Sequence, residues 1–429
     1  MASIYGKKLK LSVFGESHGE AIGVVIDGFP AGMKVDFDAI AAMMKRRAPG
    51  SANQSLAALS TKRSESDRPR ILSGVSDGYT NGFPICAVIE NENQRSSDYR
   101  NITGGSGDKN AAGTNENSSV ANDKNSVADD RISVSSDRYS DGSNDGSAGS
   151  NDKNTAGREN EPVLPRPNHA DYPAFIKYGM HTELRGGGHF SGRLTSPLVF
   201  AGAMCMQLLA LRGIEVAAHV RQILNVSDSR FDPNVTPELL RKLRQRSFPT
   251  LDKMSEEAFT TIINSAKMRG DSVGAIIECA VAGEDIPVAL GEHMFGSVES
   301  EISNLAFAIP GVKGIEFGAG FDFCRMYGSE ANDAYEYRDG KVVTKTNNCG
   351  GIVGGMTTGM PIVFSVAMKP TPSIYIEQDT VDLAGKADAK LTIKGRHDPC
   401  IALRAVPVVE SVAAIALAGL LLDAGGRKL

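Results

Sequence analysis

The sequence predicts a single large α+β domain, built as layered sheets with helices and interrupted by a low-complexity insertion at residues 101–161. Three observations predict it. Short β-rich runs alternate with segments of helical apolar spacing. Many of the strand-like runs come in pairs around Gly-rich turns, which favours layered sheets over a regular doubly wound sheet. Between about Arg100 and Glu161, Asn, Asp, Ser and Gly dominate while Leu, Phe and Met disappear, and such a stretch cannot bury enough apolar surface to offset its ordering entropy.

Residues 9–14 and 21–26 read as strands. Residues 36–47 read as a helix opening on an acidic cap, with apolar residues at helical spacing. The insertion repeats itself, Asp108-Lys109-Asn110-Ala111-Ala112-Gly113 being echoed by Asp152-Lys153-Asn154-Thr155-Ala156-Gly157. Its acidic spacing matches no EF-hand loop. The longest apolar runs, 198–211 and 412–422, fall short of the roughly 20 residues that span a bilayer and read as buried helices. Pro237 after Thr236 opens a further helix to about Arg246, and residues 275–282 and 362–367 read as strands.

With 41% apolar and 23% charged residues the chain has the balance of a globular protein. A formal net charge of −5 argues against general attraction to nucleic acid or anionic membranes. Any anionic ligand must instead meet a local basic cluster. The six cysteines form no Cys-x-x-Cys pair, and the N-terminus carries no signal-peptide pattern, so a reduced cytoplasm is expected.

Several turns carry chemistry. In Gly15-Glu16-Ser17-His18-Gly19, two glycines permit a tight backbone that presents a serine and a proton-exchanging histidine. The serine is not centred at the spacing of a nucleophile elbow. Pro165-Arg166-Pro167-Asn168-His169-Ala170-Asp171 puts a guanidinium, an imidazole and a carboxylate in a chain stiffened by prolines. In Arg185-Gly186-Gly187-Gly188-His189-Phe190-Ser191-Gly192-Arg193, the glycines let backbone N–H groups approach an anion before a helix starting near Ser196. Gly350-Gly351-Ile352-Val353-Gly354-Gly355 lacks the dinucleotide spacing, so no Rossmann unit is expected. Lys369-Pro370-Thr371-Pro372-Ser373 and Gly395-Arg396-His397-Asp398-Pro399-Cys400 add cations and a carboxylate in stiff surroundings. Together these describe a site for a polyanion, with two histidines for proton transfer and no metal-ligand or thiol-nucleophile pattern.

Further motifs stand in order with these: Asp27-Gly28-Phe29-Pro30-Ala31-Gly32, Arg46-Arg47-Ala48-Pro49-Gly50, Leu72-Ser73-Gly74-Val75, Asp98-Tyr99, Lys177-Tyr178-Gly179, Gly270-Asp271-Ser272 and Arg404-Ala405-Val406-Pro407. In this order the chain resembles the chorismate synthase family, from about Tyr5 to Leu422 outside the insertion. The resemblance implies a β-α-β-α sandwich, a homotetramer, and the 1,4-anti-elimination of phosphate from 5-enolpyruvylshikimate 3-phosphate to give chorismate. That reaction requires reduced FMN without net redox change. By resemblance His18 protonates the flavin, His169 assists departure of phosphate, and Asp398 works with the flavin in removing the ring proton. Ser17, Arg47, Arg166, Arg193 and Arg404 are implied to hold the substrate. Flavin contacts map to His189, Phe190, Ser191, Pro310, Gly311, Gly354, Lys369, Pro370, Thr371, Pro372, Ser373 and Arg396. The flavin is reduced either by NADPH directly or by an external flavin reductase. The chain departs from the family pattern at Ala48 and Asn53, where arginines are common, at His189, which replaces an arginine, and at Asn168, which replaces a glycine and tolerates turn conformations.

Overall fold

The structure is a computed structural model that describes residues 3–49, 59, 65–92, 162–179, 185–393, 395 and 397–425. The insertion at 101–161, Asn53 and Arg396 lie outside the described residues. Two five-stranded sheets form the frame. The first holds β1 (Ile4–Tyr5), β2 (Lys10–Gly15), β3 (Ala21–Asp27), β4 (Arg70–Ser73) and β5 (Ile85–Glu90), in the order β1-β2-β3-β5-β4. The second holds β6 (Glu215–Ile223), β7 (Val226–Ser227), β8 (Ala275–Ala282), β9 (Val312–Phe317) and β10 (Ile362–Met368), in the order β9-β10-β8-β6-β7. Every strand pairing among the described residues is antiparallel, as the paired runs around Gly-rich turns predict and a doubly wound sheet would not allow.

Seven helices matter to the argument: α1 (Phe37–Arg47), α2 (Asp171–Tyr178), α3 (Thr195–Ala210), α4 (Pro237–Arg244), α5 (Lys253–Met268), α6 (Val298–Ala308) and α7 (Ala402–Asp423). Asp36 caps α1 by accepting from the Ala39 N–H, and Thr236 caps α4 by accepting from that of Leu239. In the first sheet Ile22, Val24 and Ile26 stand opposite Ile89, Ala87 and Ile85 and are buried with them. That period-two face packs on α3, which packs in turn on α7.

The second sheet is covered on both sides, and the pattern of its strands shows it. Val216, Ala218, Val220, Ile277, Cys279 and Val281 join the main core with α7, whereas Ala217, Ala280 and Ala282 join a second cluster with Leu240 and Leu243 of α4. Alternate residues therefore face different helices, and β6 and β8 are buried along nearly their whole length, polar residues included. Helices α3 and α7 lie between the sheets, so they are apolar nearly all round. They approach so closely that a Cβ on Gly202 would lie 2.2 Å from the Ser411 Cβ. Wholly buried Phe200 adds about 1.5–3 kcal/mol to this core. Both helical stretches are long and apolar enough to cross a membrane by length and composition, yet 83% of each lies inside the protein, as the reading of them as core helices requires. Helix α7 runs back to Ala402, so it carries Arg404 and Glu410 beyond the apolar run that announced it.

Candidate active site

The loops at one edge of these layers enclose a cavity of about 500 Å³. Arg47 reaches it from the C-terminal end of α1, Arg193 from the turn before α3, and Arg404 from the first turn of α7. Arg166 and His169 arrive from the segment before α2, and Asp398 from the segment before α7. His189, Phe190, Ser191, Pro310, Gly311 and the whole Lys369 to Ser373 stretch also line it. Of the residues singled out in the sequence, Gly354 is not brought there. It turns the small hairpin of Ile352–Val353 and Met356–Thr357, and that hairpin, with no helix opening on it, also disposes of a dinucleotide loop.

His18 and Ser17 stand beside the cavity, against the triple glycine. A Cβ on Gly186, whose φ is 60°, would fall 2.0 Å from the His18 Cε1 and 2.9 Å from the Ser17 Oγ. A Cβ on Gly187 would fall 3.3 Å from the His169 Cε1 and Nε2. Consecutive glycines thus touch the two histidines, and only residues without a side chain let both rings close on one strand of backbone. The Ser17 N–H donates to the Gly188 carbonyl at 3.2 Å, tying the two loops, and the Ser17 Oγ lies 3.1 Å from the His18 Nδ1. Asn168 takes a φ of 59° beside His169, the turn conformation expected of it.

His169 is oriented by Asp171. Its Nδ1 lies 2.6 Å from the Asp171 Oδ1, so the Nδ1–H donates to the carboxylate and Nε2 is left facing the glycines. The same carboxylate accepts from the Arg166 Nε and NH2 groups, each at 2.7 Å. Burial lowers the His169 pKa, with Arg166 and Lys369 adding to that and Asp171 opposing it. Burial pushes the Asp171 carboxyl up, but Arg166 and His169 outweigh it and hold it well below the usual carboxylate range. Arg166, singled out as a substrate ligand, spends two arms inside its own motif. Across the cavity Arg404 donates to the Asp398 Oδ2 at 2.5 Å and, through Nε, to the Arg47 carbonyl at 3.0 Å.

His189 lies with Nδ1 2.9 Å from the Gly15 carbonyl and Nε2 3.1 Å from the Ser3 Oγ, binding the N-terminal strand pair to the rim. Lys369 donates to the Asn168 carbonyl. Burial lowers its pKa, with Lys313 adding to that.

Two carboxylates that the motifs do not contain belong to the site. Glu65 lines the cavity, and Asp67, buried behind it, bridges Arg47 and Arg193. Neither forms a recognisable spacing with the arginines, which lie far along the chain, so the sequence carries no signal for them. Among the described residues no group of His, Cys, Asp and Glu could hold a metal ion, and all six cysteines are free thiols.

A family model described as chorismate synthase matches residues 9–422 of the chain. The chorismate synthase of Thermococcus kodakarensis is 40% identical over 417 residues, an alignment that covers 97% of both chains. That of Pyrococcus abyssi is 39% identical over 420 residues, again with 97% of each chain covered. A solved structure described as the crystal structure of chorismate synthase matches with a TM-score of 0.66 at 24% identity, covering 98% of this chain and 94% of that one. At that identity the match speaks for the fold.

Proposed function

The chain belongs to the chorismate synthase family, and on that premise we propose how its cleft carries out the family's reaction, the 1,4-anti-elimination of phosphate from 5-enolpyruvylshikimate 3-phosphate to give chorismate. One observation carries the reading: four arginines, a histidine held by a carboxylate, and a second buried carboxylate converge on a single cavity. The substrate carries a phosphate and two carboxylates, and departure of phosphate from carbon needs its charge matched and its leaving oxygen protonated. Arg47, Arg193 and Arg404 bind and orient the anionic groups, with Arg166 behind them and Ser17 at the edge. His169, fixed through Nδ1, presents Nε2 to the leaving phosphate. A phosphate dianion there raises the pKa that burial has lowered, so the ring gains its proton as the substrate binds. Asp398, paired with Arg404, takes up the ring proton on the other side, and His18, at the loop of Gly15 to Gly19, would hold a proton toward the reduced flavin rather than toward the substrate.

Reduced FMN, when bound, lends electron density to the reacting substrate and takes it back, which leaves the reaction redox-neutral. The cavity suits such a group. The Thr371 Oγ1 is buried with no hydrogen-bond partner among the described residues, in a wall that also holds Phe307, Ile309, Pro310 and Met368, the mixture of apolar face and stray polar group that a flat heteroaromatic ring with polar edges satisfies. His189, Phe190, Ser191, Pro310, Gly311 and Lys369 to Ser373 would hold it, and Arg396 joins them by resemblance. The flavin is kept reduced by NADPH or by an external reductase. Two further readings come with the family: the layers of sheet and helix make its β-α-β-α sandwich, and the chain works as a cytoplasmic homotetramer.

The test is anaerobic. The protein, incubated with 5-enolpyruvylshikimate 3-phosphate and dithionite-reduced FMN, should release inorganic phosphate and chorismate in equal amounts. Substrate binding without phosphate would mark a mere anion-binding protein, net oxidation of substrate would mark a flavin oxidoreductase, and either result overturns the assignment.

A further inference from the structure

We propose that Asp67 is a positioning residue, the fixed anion that sets Arg47 and Arg193 for substrate, and that Glu65 is the exchangeable anion over the same pair, displaced when substrate binds. The inference rests on the reading of the cavity as the site for 5-enolpyruvylshikimate 3-phosphate.

Asp67 is 1% exposed and takes a φ of 44°, a conformation that an aspartate keeps only when its surroundings over-determine it. Its Oδ2 accepts from the Arg47 NH1 at 2.6 Å, and its Oδ1 accepts from the Arg193 NH1. Among the described residues its side chain bonds to nothing else, so the carboxylate serves the two guanidinium groups rather than the fold at large. Two cations this close, with Arg404 beside them, repel one another. Burial lowers the Arg47 pKa to about 10, Arg404 and Arg193 push it the same way, and Asp67 is the group that holds it up. Burial would raise the pKa of Asp67 itself, but Arg47 and Arg193 outweigh that and lower it, so the bridge stays ionised.

The remaining contacts complete the clamp. Arg47 donates through Nε to the Thr195 Oγ1 at 3.2 Å and through NH2 to the Gly192 carbonyl at 2.8 Å, so that among the described residues two of its five N–H groups have no acceptor. Arg193 donates through Nε to the Asn91 Oδ1 at 2.9 Å and through NH2 to the Glu90 carbonyl at 3.1 Å. Its other NH1 arm meets the Glu65 Oε2 at 2.6 Å. Glu65 differs from Asp67 in the ways that matter. Among the described residues it bonds to one arginine instead of two, it is partly exposed, and it lines the cavity. An anionic group entering there takes the place of the Glu65 carboxylate on Arg193, while Asp67 stays underneath and keeps the arginines aimed.

Opposite signs follow for the two carboxylates. Asp67→Asn keeps the size but turns an amide N–H toward one guanidinium. It should raise KM for 5-enolpyruvylshikimate 3-phosphate at least tenfold with a fall in kcat of less than threefold, and should weaken competitive inhibition by inorganic phosphate in step. The alkaline limb of the KM profile, set by Arg47, should move to lower pH, a change that mere loosening of the fold would not cause. Glu65→Gln removes a competing anion and should lower both KM and the phosphate inhibition constant about two- to fivefold. If Asp67→Asn does not fold, Asp67→Glu restores the charge and should fold with KM between the two, and Glu65→Gln alone still decides the exchange. A wild-type enzyme that turns over while Asp67→Asn keeps its KM within twofold, or two variants that move KM in the same direction, would overturn the proposal. A wild-type enzyme that releases no phosphate would instead sink the underlying reading of the site.

Discussion

Replacing Gly186 by alanine tests the arrangement on which the two histidines depend. The added Cβ would lie 2.0 Å from the His18 Cε1 and 2.3 Å from its Nδ1, where ordinary contact begins near 3.4 Å. The glycine also holds a φ of 60°, which costs an alanine about 1–2 kcal/mol. The backbone here is tied by the Ser17 N–H to the Gly188 carbonyl, so the imidazole is the part that yields, by more than about 1 Å. A misplacement of that size costs on the order of a hundredfold in rate. Anaerobic single-turnover assays should therefore show kcat down about a hundredfold, with KM changed much less, because Arg47, Arg193 and Arg404 are untouched. Gly328→Ala is the control, since its Cβ meets nothing within 4 Å. In a His18→Ala background the ring that collides is gone, and adding Gly186→Ala should cost less than tenfold more. An alanine at 186 with wild-type kcat, or a full hundredfold loss persisting without the His18 ring, would show that the glycine does not set this histidine.

Two further outcomes concern buried carboxylate–histidine pairs. Asp171→Asn removes the acceptor that fixes the Nδ1–H of His169 and should cost about 10²–10⁴ in kcat, as loss of the orienting acid does where a histidine tautomer is at stake. Without its carboxylate the already lowered His169 pKa falls further, so the alkaline limb of the kcat profile, where the protonated ring is lost, should move to lower pH; an unmoved limb would argue against the pairing. His219, on β6, is wholly buried with Nδ1 3.0 Å from the Asp228 Oδ2 and Nε2 3.0 Å from the Glu278 Oε2. With a carboxylate oxygen against each nitrogen, the imidazolium form can donate to both; burial alone would lower its pKa, but the two carboxylates outweigh this and raise it. A raised pKa stabilises the fold fully below the unfolded value near 6.5 and loses that contribution as pH climbs through the folded value. His219→Gln should lower unfolding free energy by about 3–5 kcal/mol in urea titrations near pH 6, with the gap to wild type narrowing toward alkaline pH. A gap that stayed constant with pH would mean the ring is neutral.

What the sequence made legible follows period and punctuation. The capped helix α1, the proline-started α4, and strands β3, β8 and β10 begin where the apolar pattern begins, because in each a single face or a pair of faces meets a helix. The glycine and proline turns also announced most of the cavity wall, since a backbone that must approach a ligand or a ring needs those residues wherever it sits in the chain. Gly354 marks the limit of that signal: a glycine-rich run fits a ligand loop and a plain hairpin equally well, and only the pairing of Ile352 with Thr357 tells them apart.

The anions of the site lay beyond that reach for a physical reason. An arginine in a cavity can be read as a ligand for a substrate because its charge must be answered by something, but the sequence does not say whether the answer is the substrate or the protein. Here it is both. Arg166 is answered by Asp171 within five residues, and there a motif contains its own counter-ion. Arg47 and Arg193 are answered by Asp67, which is reached only when β4, α1 and the turn before α3 are folded against one another. Arg46, next to Arg47, is answered by buried Glu410 on α7 through two hydrogen bonds of 2.6 and 2.9 Å. Adjacent arginines in one motif thus stand differently: one locks a helix to the core, and the other lines the cavity with two donors that no described residue accepts from. The difference lies in which partner the fold brings to each, and how many donors that partner leaves.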